Sequence, residues 1–199
     1  MLGFEYPAAP HVRRHGPAGY KDYGSYRDWL RDEFMFRCVY CLRREQWDER
    51  GAAFHIEHFI PVVIDPDSTC EYVNLLYACA TCNEAKKAVL GVPDPCKVAF
   101  HDCLRVIDNG RVVAQNDDGE KLIQVLRLDS ERSVRHRSRW MRILEALRTT
   151  HPALHEELMG FPAELPDLRQ KRVPSNTKPK GAQNCYFALR ERGELPAMY

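Results

Sequence analysis

Four cysteines fall into two Cys-x-x-Cys pairs, Cys38/Cys41 and Cys79/Cys82, with residues 42 to 78 between them. Each pair can fill two corners of a tetrahedron from one tight turn, so together they make the donor set of a closed, structural metal site, most simply Zn²⁺. A rubredoxin-like iron site also uses four cysteines, but its knuckles usually carry Gly just past the second one, where this chain has Leu42 and Asn83. Within the gap stands Glu57-His58, then Asn74, and Asn83 directly follows the last cysteine. His58 is able to act as a neutral base near pH 7. Glu57 offers a hard oxygen ligand and the amide oxygen of Asn83 a second, which leaves room around Mg²⁺ or Mn²⁺ for phosphate and water. A base, an activated water and a divalent cation are what phosphodiester hydrolysis requires.

These residues need elements to hold them. The segment 53–58 reads as a short strand ended by Pro61, and 74–78 as a second strand that delivers Cys79. From Cys82 the sequence NEAKKAVL is helix-forming until Gly91 and Pro93. The result is a ββα unit with a metal at its root. Ahead of it, Ser25 is expected to cap a helix over 26–36 with Trp29, Leu30, Phe34 and Phe36 inward and Arg27, Asp28, Arg31 and Asp32 outward. Behind it, Asn109-Gly110 predicts a hairpin between 103–108 and 111–115. A short helix over 119–128 follows, then a longer one to about 149 capped at Asp129-Ser130. On that helix Arg132, Arg135, Arg139 and Arg142 share one stripe, either a solvated face or a phosphate reader. A brief helix is expected over 153–159, and prolines 162, 166, 174 and 179 argue for an irregular, basic tail.

The 199 residues, with 44% hydrophobic and 29% charged content, suit a folded domain rather than a disordered chain. A net charge of +1 means that any nucleic-acid footprint has to be local. No apolar run is long enough to span a bilayer and the first residues lack a signal-peptide core, so the chain is expected in the cytoplasm, with no membrane partner and with reduced cysteines. Cys70, Cys96, Cys103 and Cys185 then read as small buried hydrophobes.

The ordered set Cys38-x-x-Cys41, Glu57-His58-x-x-Pro61, Asn74-Leu75 and Cys79-x-x-Cys82-Asn83-x-x-Lys86 resembles the HNH endonuclease family, in its branch with a four-cysteine zinc knuckle and a ββα-metal (His-Me) finger. The resemblance covers residues 38 to about 90. It implies His58 as the general base, Glu57 and Asn83 as ligands of the catalytic Mg²⁺ or Mn²⁺, Asn74 as the residue that ties down the loop and orients His58, and the four cysteines as ligands of structural Zn²⁺. It implies products with a 5′-phosphate and a 3′-hydroxyl. Glu57 stands where the family more often has Asp or His, Asn83 replaces a third histidine, and Phe59 replaces an aliphatic residue. Loss of that histidine favours hard metals.

The expected fold is α+β: an N-terminal arm over 1–24, a nuclease core over 25–95, a hairpin and helical elaboration over 96–160, and a proline-rich basic tail over 161–199. The arm is read as a strap on the domain surface, with an arm that binds nucleic acid as the rival. The expected function is metal-dependent endonuclease cleavage of nucleic acid, DNA rather than RNA. One ββα unit cuts one strand, so double-strand cleavage would call for a homodimer, a second event or a partner. Two rivals are a partner-activated nuclease effector of a bacterial defence system and a zinc-stapled nucleic-acid-binding module without activity. His55 reads as a packing or hydrogen-bonding residue or a third ligand, and Lys86 and Lys87 as an exposed helix face or phosphate contacts. A second metal site at His101, between Cys96 and Cys103, is the weakest candidate.

Overall fold

The computed structural model describes residues 3–48 and 54–199. Residue 53, the first of the expected strand, and residues 1–2 of the arm lie outside them. Strand β1 (Pro17–Ala18) and helix α1 (Arg27–Glu33) precede β2 (Phe54–His58), β3 (Leu75–Cys79) and α2 (Ala80–Lys86). Then come α3 (Phe100–Cys103), β4 (Leu104–Val106), β5 (Val112–Ala114), α4 (Asp117–Leu126), α5 (Glu131–Thr150) and α6 (Pro152–Met159). Strand β6 (Ser175–Asn176) and helices α7 (Pro179–Gln183) and α8 (Tyr186–Glu191) complete the chain. The class is α+β.

The centre is the ββα unit. β2 and β3 pair antiparallel, with Phe54 opposite Cys79 and His58 opposite Leu75. All five residues of β3 are buried, because α1 and α2 both pack against it. Helix α2 starts directly at the end of β3, two residues earlier than expected, and stops at Lys87, whose φ of +46° breaks the helical ladder before the apolar Val89 and Leu90.

The N-terminal helix differs from expectation. Ser25 does not cap it: Asp22 accepts from the Gly24 N–H and opens a 3₁₀ turn over Tyr23–Tyr26, from which α1 continues. The helix ends at Glu33 because Met35 and Phe36 take φ of +52° to turn the chain into the first knuckle. Asp32 is buried, against the outward placement, since His15 Nε2 lies 2.7 Å from its Oδ1 and the Tyr186 N–H donates to its Oδ2 at 2.8 Å.

The arm is a strap. Glu33 receives the backbone N–H groups of Arg14 and His15, and Arg13 donates to the Leu75 carbonyl at 2.7 Å. The tail is less irregular than its prolines suggest: β6 pairs with β1, and Cys185 and Ala188 on the α7–α8 segment are buried. Turns between the prolines leave room for short helices that pack on the strap.

The hairpin forms as β4–β5, with Gly110 at φ +81°. Asn116 and Ser130 cap α4 and α5 through hydrogen bonds from the Gly119 and Ser133 N–H groups. Helix α5 lays Met141 and Leu144 inward. Cys103 and Cys185 are buried as expected, whereas Cys70 and Cys96 are only half-buried. No helix among the described residues is long and apolar enough to cross a membrane.

Candidate active site and metal centre

The first knuckle is a backbone turn. The Leu42 N–H bonds the Cys38 carbonyl, the Cys38 N–H bonds the Arg43 carbonyl, and Leu42 takes a φ of +62° to close the loop. The Val39 N–H bonds the Tyr77 carbonyl and docks this turn beside β3, which carries Cys79. Cys82 comes from the first turn of α2. The four Sγ atoms of Cys38, Cys41, Cys79 and Cys82 all lie within 4.8 Å of one another, and Cys41 and Cys79 are 3.6 Å apart. Burial pushes the Cys38 thiol up, while hydrogen bonding from Cys38 and the other thiols holds Cys41 down. A divalent soft cation removes that competition by taking the place of the protons. The donor set therefore fits zinc, in a closed site with no position left for substrate.

At the other end of the ββα unit, β2 ends on His58. Its Nε2 lies 3.0 Å from the Thr69 carbonyl oxygen. A carbonyl only accepts, so Nε2 carries the hydrogen and the Nδ1 lone pair of the neutral ring is free. Burial lowers the His58 pKa, the Thr69 bond works against that, and the nearby Lys86 charge adds to the lowering. The ring is thus neutral near pH 7. Tyr23 stands edge-on to it with centroids 4.9 Å apart.

Thr69 follows directly on a loop that Asn74 ties down. Asn74 Oδ1 accepts from the Ile60 N–H at 2.7 Å, and its Nδ2 faces the Ile60 carbonyl at 3.0 Å and Ser68 Oγ at 3.0 Å. This buried amide closes the loop from residue 60 to 68 at its base, one residue from Thr69.

Glu57, on β2, is buried against α2. Its Oε1 lies 2.6 Å from the Lys86 Nζ, and that ammonium also donates to the His58 carbonyl at 3.0 Å. Lys86 is fully buried, which corrects both readings of it, as an exposed face and as a phosphate contact; Lys87 is exposed. Burial raises the Glu57 carboxyl and the Lys86 bond and charge offset part of that. Asn83 lies one turn before Lys86, on the same face of α2, half-buried and with no side-chain hydrogen bond among the described residues. Hard oxygens from Glu57 and Asn83 suit Mg²⁺ or Mn²⁺, but an ion on Glu57 has to share the carboxylate with the Lys86 ammonium.

The structure thus gathers the four thiols, gathers His58 with the Asn74-clamped loop, and pairs Glu57 with Lys86. As successive strand residues, Glu57 and His58 project to opposite faces and meet only around the end of β2. His55 is exposed, neither packed nor in a ligand cluster. Among the described residues, the four cysteines form the metal-ligand cluster and His101 joins none. Sequence reasoning missed the Thr69 carbonyl, which no residue type advertises, and Tyr23, whose only signal was its place in a Tyr-rich arm. It also missed the Glu57–Lys86 pair.

Residues 38–88 match the family model described as HNH endonuclease. No curated protein matches the chain.

Proposed function

We propose, from the premise that residues 38–88 form an HNH endonuclease domain, that this protein hydrolyses nucleic-acid phosphodiesters with His58 as the general base. The observation that carries the reading is the His58 Nε2 contact with the Thr69 carbonyl at 3.0 Å, which leaves Nδ1 to accept a proton. Water placed at Nδ1 gives up that proton as its oxygen bonds to phosphorus. The bond from phosphorus to the 3′-oxygen breaks, and products with a 5′-phosphate and a 3′-hydroxyl result once the leaving oxygen is protonated. Asn74 keeps the Thr69 carbonyl in register, so the base stays in one tautomer and orientation.

Asn83 and Glu57 would hold Mg²⁺ or Mn²⁺, which when bound neutralises charge on the phosphate and the leaving oxygen. Zn²⁺ in the four-cysteine site staples the first knuckle to β3 and α2. DNA is the proposed substrate and the cytoplasm the proposed location; one catalytic unit per chain makes a nick the elementary product.

The Lys86 ammonium on Glu57 favours a second reading, a nuclease silent until a partner frees that carboxylate. Supercoiled plasmid incubated with the purified protein in Mg²⁺, in Mn²⁺ and in EDTA, beside His58→Ala, tests the first. Metal-dependent nicking lost in a folded, zinc-loaded variant supports it. Nicking that survives His58→Ala refutes the base. No nicking by folded, zinc-loaded wild type moves the weight to the partner-activated effector.

A further inference from the structure

The arginine stripe of α5 is a charged feature outside the nuclease site. Arg132, Arg135, Arg139 and Arg142 are all exposed. They succeed one another over ten residues, about 15 Å of helix axis. Arg135 is paired with Glu131, an exposed i,i+4 contact that costs little to exchange. Arg132, Arg139 and Arg142 have no acidic partner among the described residues. Acidic residues are scarce on this helix: Glu131 is one, and Glu145 is spent on Arg148.

Arg132, Arg135 and Arg139 border a groove of about 740 Å³ that the metal knuckle also lines, at Cys41, Arg43 and Cys79; Arg142 continues the stripe along α5 beyond it. A Zn²⁺ tetrathiolate carries net negative charge, but Arg43 already stands on that wall, paired with Asp48. Among the described residues, the three unpaired arginines make no hydrogen bond to these thiols. Nor are they needed for the packing of α5, which rests on Met141 and Leu144 and on Arg137, whose Nε donates to the Gly110 carbonyl at 2.8 Å. Strands that pass bases over aromatic rings need free ring faces. Here Trp47 and Trp140 stack on each other at 4.6 Å and 12°, which takes one face of each ring, and Trp47 is buried, so charge dominates this surface.

We propose that the exposed face of α5 binds the phosphate backbone of a nucleic-acid duplex, with Arg132, Arg139 and Arg142 as the contacting cations. The surface sits at the metal end of the ββα unit. Phe54, opposite Cys79, is four strand residues from His58, about 13 Å. A duplex held on α5 can therefore extend towards the cutting site without α5 contributing to the chemistry. This rests on the nuclease reading for its partner class, while its test does not depend on cleavage.

The test compares full-length, zinc-loaded His58→Ala protein with the same protein carrying Arg132→Gln, Arg139→Gln and Arg142→Gln, by fluorescence anisotropy on a labelled duplex across a salt series. A control carries Lys97→Gln, Arg172→Gln and Lys180→Gln, three exposed cations elsewhere. Three lost phosphate contacts, at about 0.9 each, lower the slope of log K against log salt by about 2.7. A fourfold rise in salt then weakens the parent about 40-fold more than the α5 variant. The control keeps a steeper slope than the α5 variant. Equal slopes for parent and α5 variant overturn the proposal, as does an equal loss in the control. Plasmid nicking by proteins with His58 intact separates the two claims. Nicking with no α5 effect on binding rejects the surface and keeps the nuclease; an α5 effect with no nicking keeps the surface and moves the nuclease reading to the partner-activated effector.

Discussion

Replacing Lys86 by Met, in protein free of Mg²⁺ and Mn²⁺, removes the charged partner of the buried Glu57 carboxylate. Glu57 is 3% exposed and Lys86 fully buried, with 2.6 Å between Nζ and Oε1. Breaking a buried pair from one side costs about 3–5 kcal/mol, because the remaining charge is left without compensation. The same ammonium donates to the His58 carbonyl, so the end of β2 also loses its tie to α2. At about 2.1 cal/mol/K of unfolding entropy per residue, the 199 residues convert that cost into a fall in Tm of about 7–12 °C. Thermal unfolding of the zinc-loaded protein, followed by circular dichroism, measures it. Glu57→Gln with Lys86→Met should recover most of the loss, since the pair has gone as a pair. A double variant whose loss is the sum of the two single losses would refute the coupling, and a Lys86→Met shift under about 2 °C would refute the burial argument.

Cys79→Ser should lose bound zinc and thermal stability together, read by metal analysis and calorimetry; a variant that stays folded without zinc contradicts the staple. Asn74→Asp keeps the acceptor for the Ile60 N–H but loses the Nδ2 donor to Ser68. Misplacing His58 in this way should slow cleavage on the order of 100-fold, with KM little changed. Glu33 supplies the pH dependence. Burial alone would raise its carboxyl, but the bonds from His11 and the Arg14 N–H and the His15 charge bring it down to about 2. Its folded value lies below its unfolded one, so its contribution is present above about pH 4.5 and is lost as pH falls towards 2, about 3 kcal/mol in all. Stability against pH should be flatter over that interval in Glu33→Gln; an unchanged acid slope sinks the assignment.

The ββα unit was legible because its signals are covalent neighbours. Knuckle spacing places the cysteines, and alternation with Pro61 bounds β2. The hairpin was legible for the same reason, Asn109-Gly110 being a local preference. What escaped was set by distant partners. Asp32 looked solvent-facing because a helix face is read from its own residues, whereas His15 and Tyr186 decide its burial. Lys86 looked exposed because nothing in NEAKK says that Glu57 lies against it. The tail looked irregular because prolines report where helices cannot run, and the pairing of β6 with β1 joins residues more than 150 positions apart. The tautomer of His58 depends on a backbone carbonyl, and any residue at position 69 would supply one.

The central claim is that the free Nδ1 of His58 takes the proton from water. Single-turnover cleavage of a labelled duplex by His58→Ala, with and without added imidazole, tests it most directly. The expected result is a folded, zinc-loaded variant with no measurable cleavage, and partial recovery that grows with the concentration of neutral imidazole. Cleavage at the wild-type rate without imidazole would contradict it.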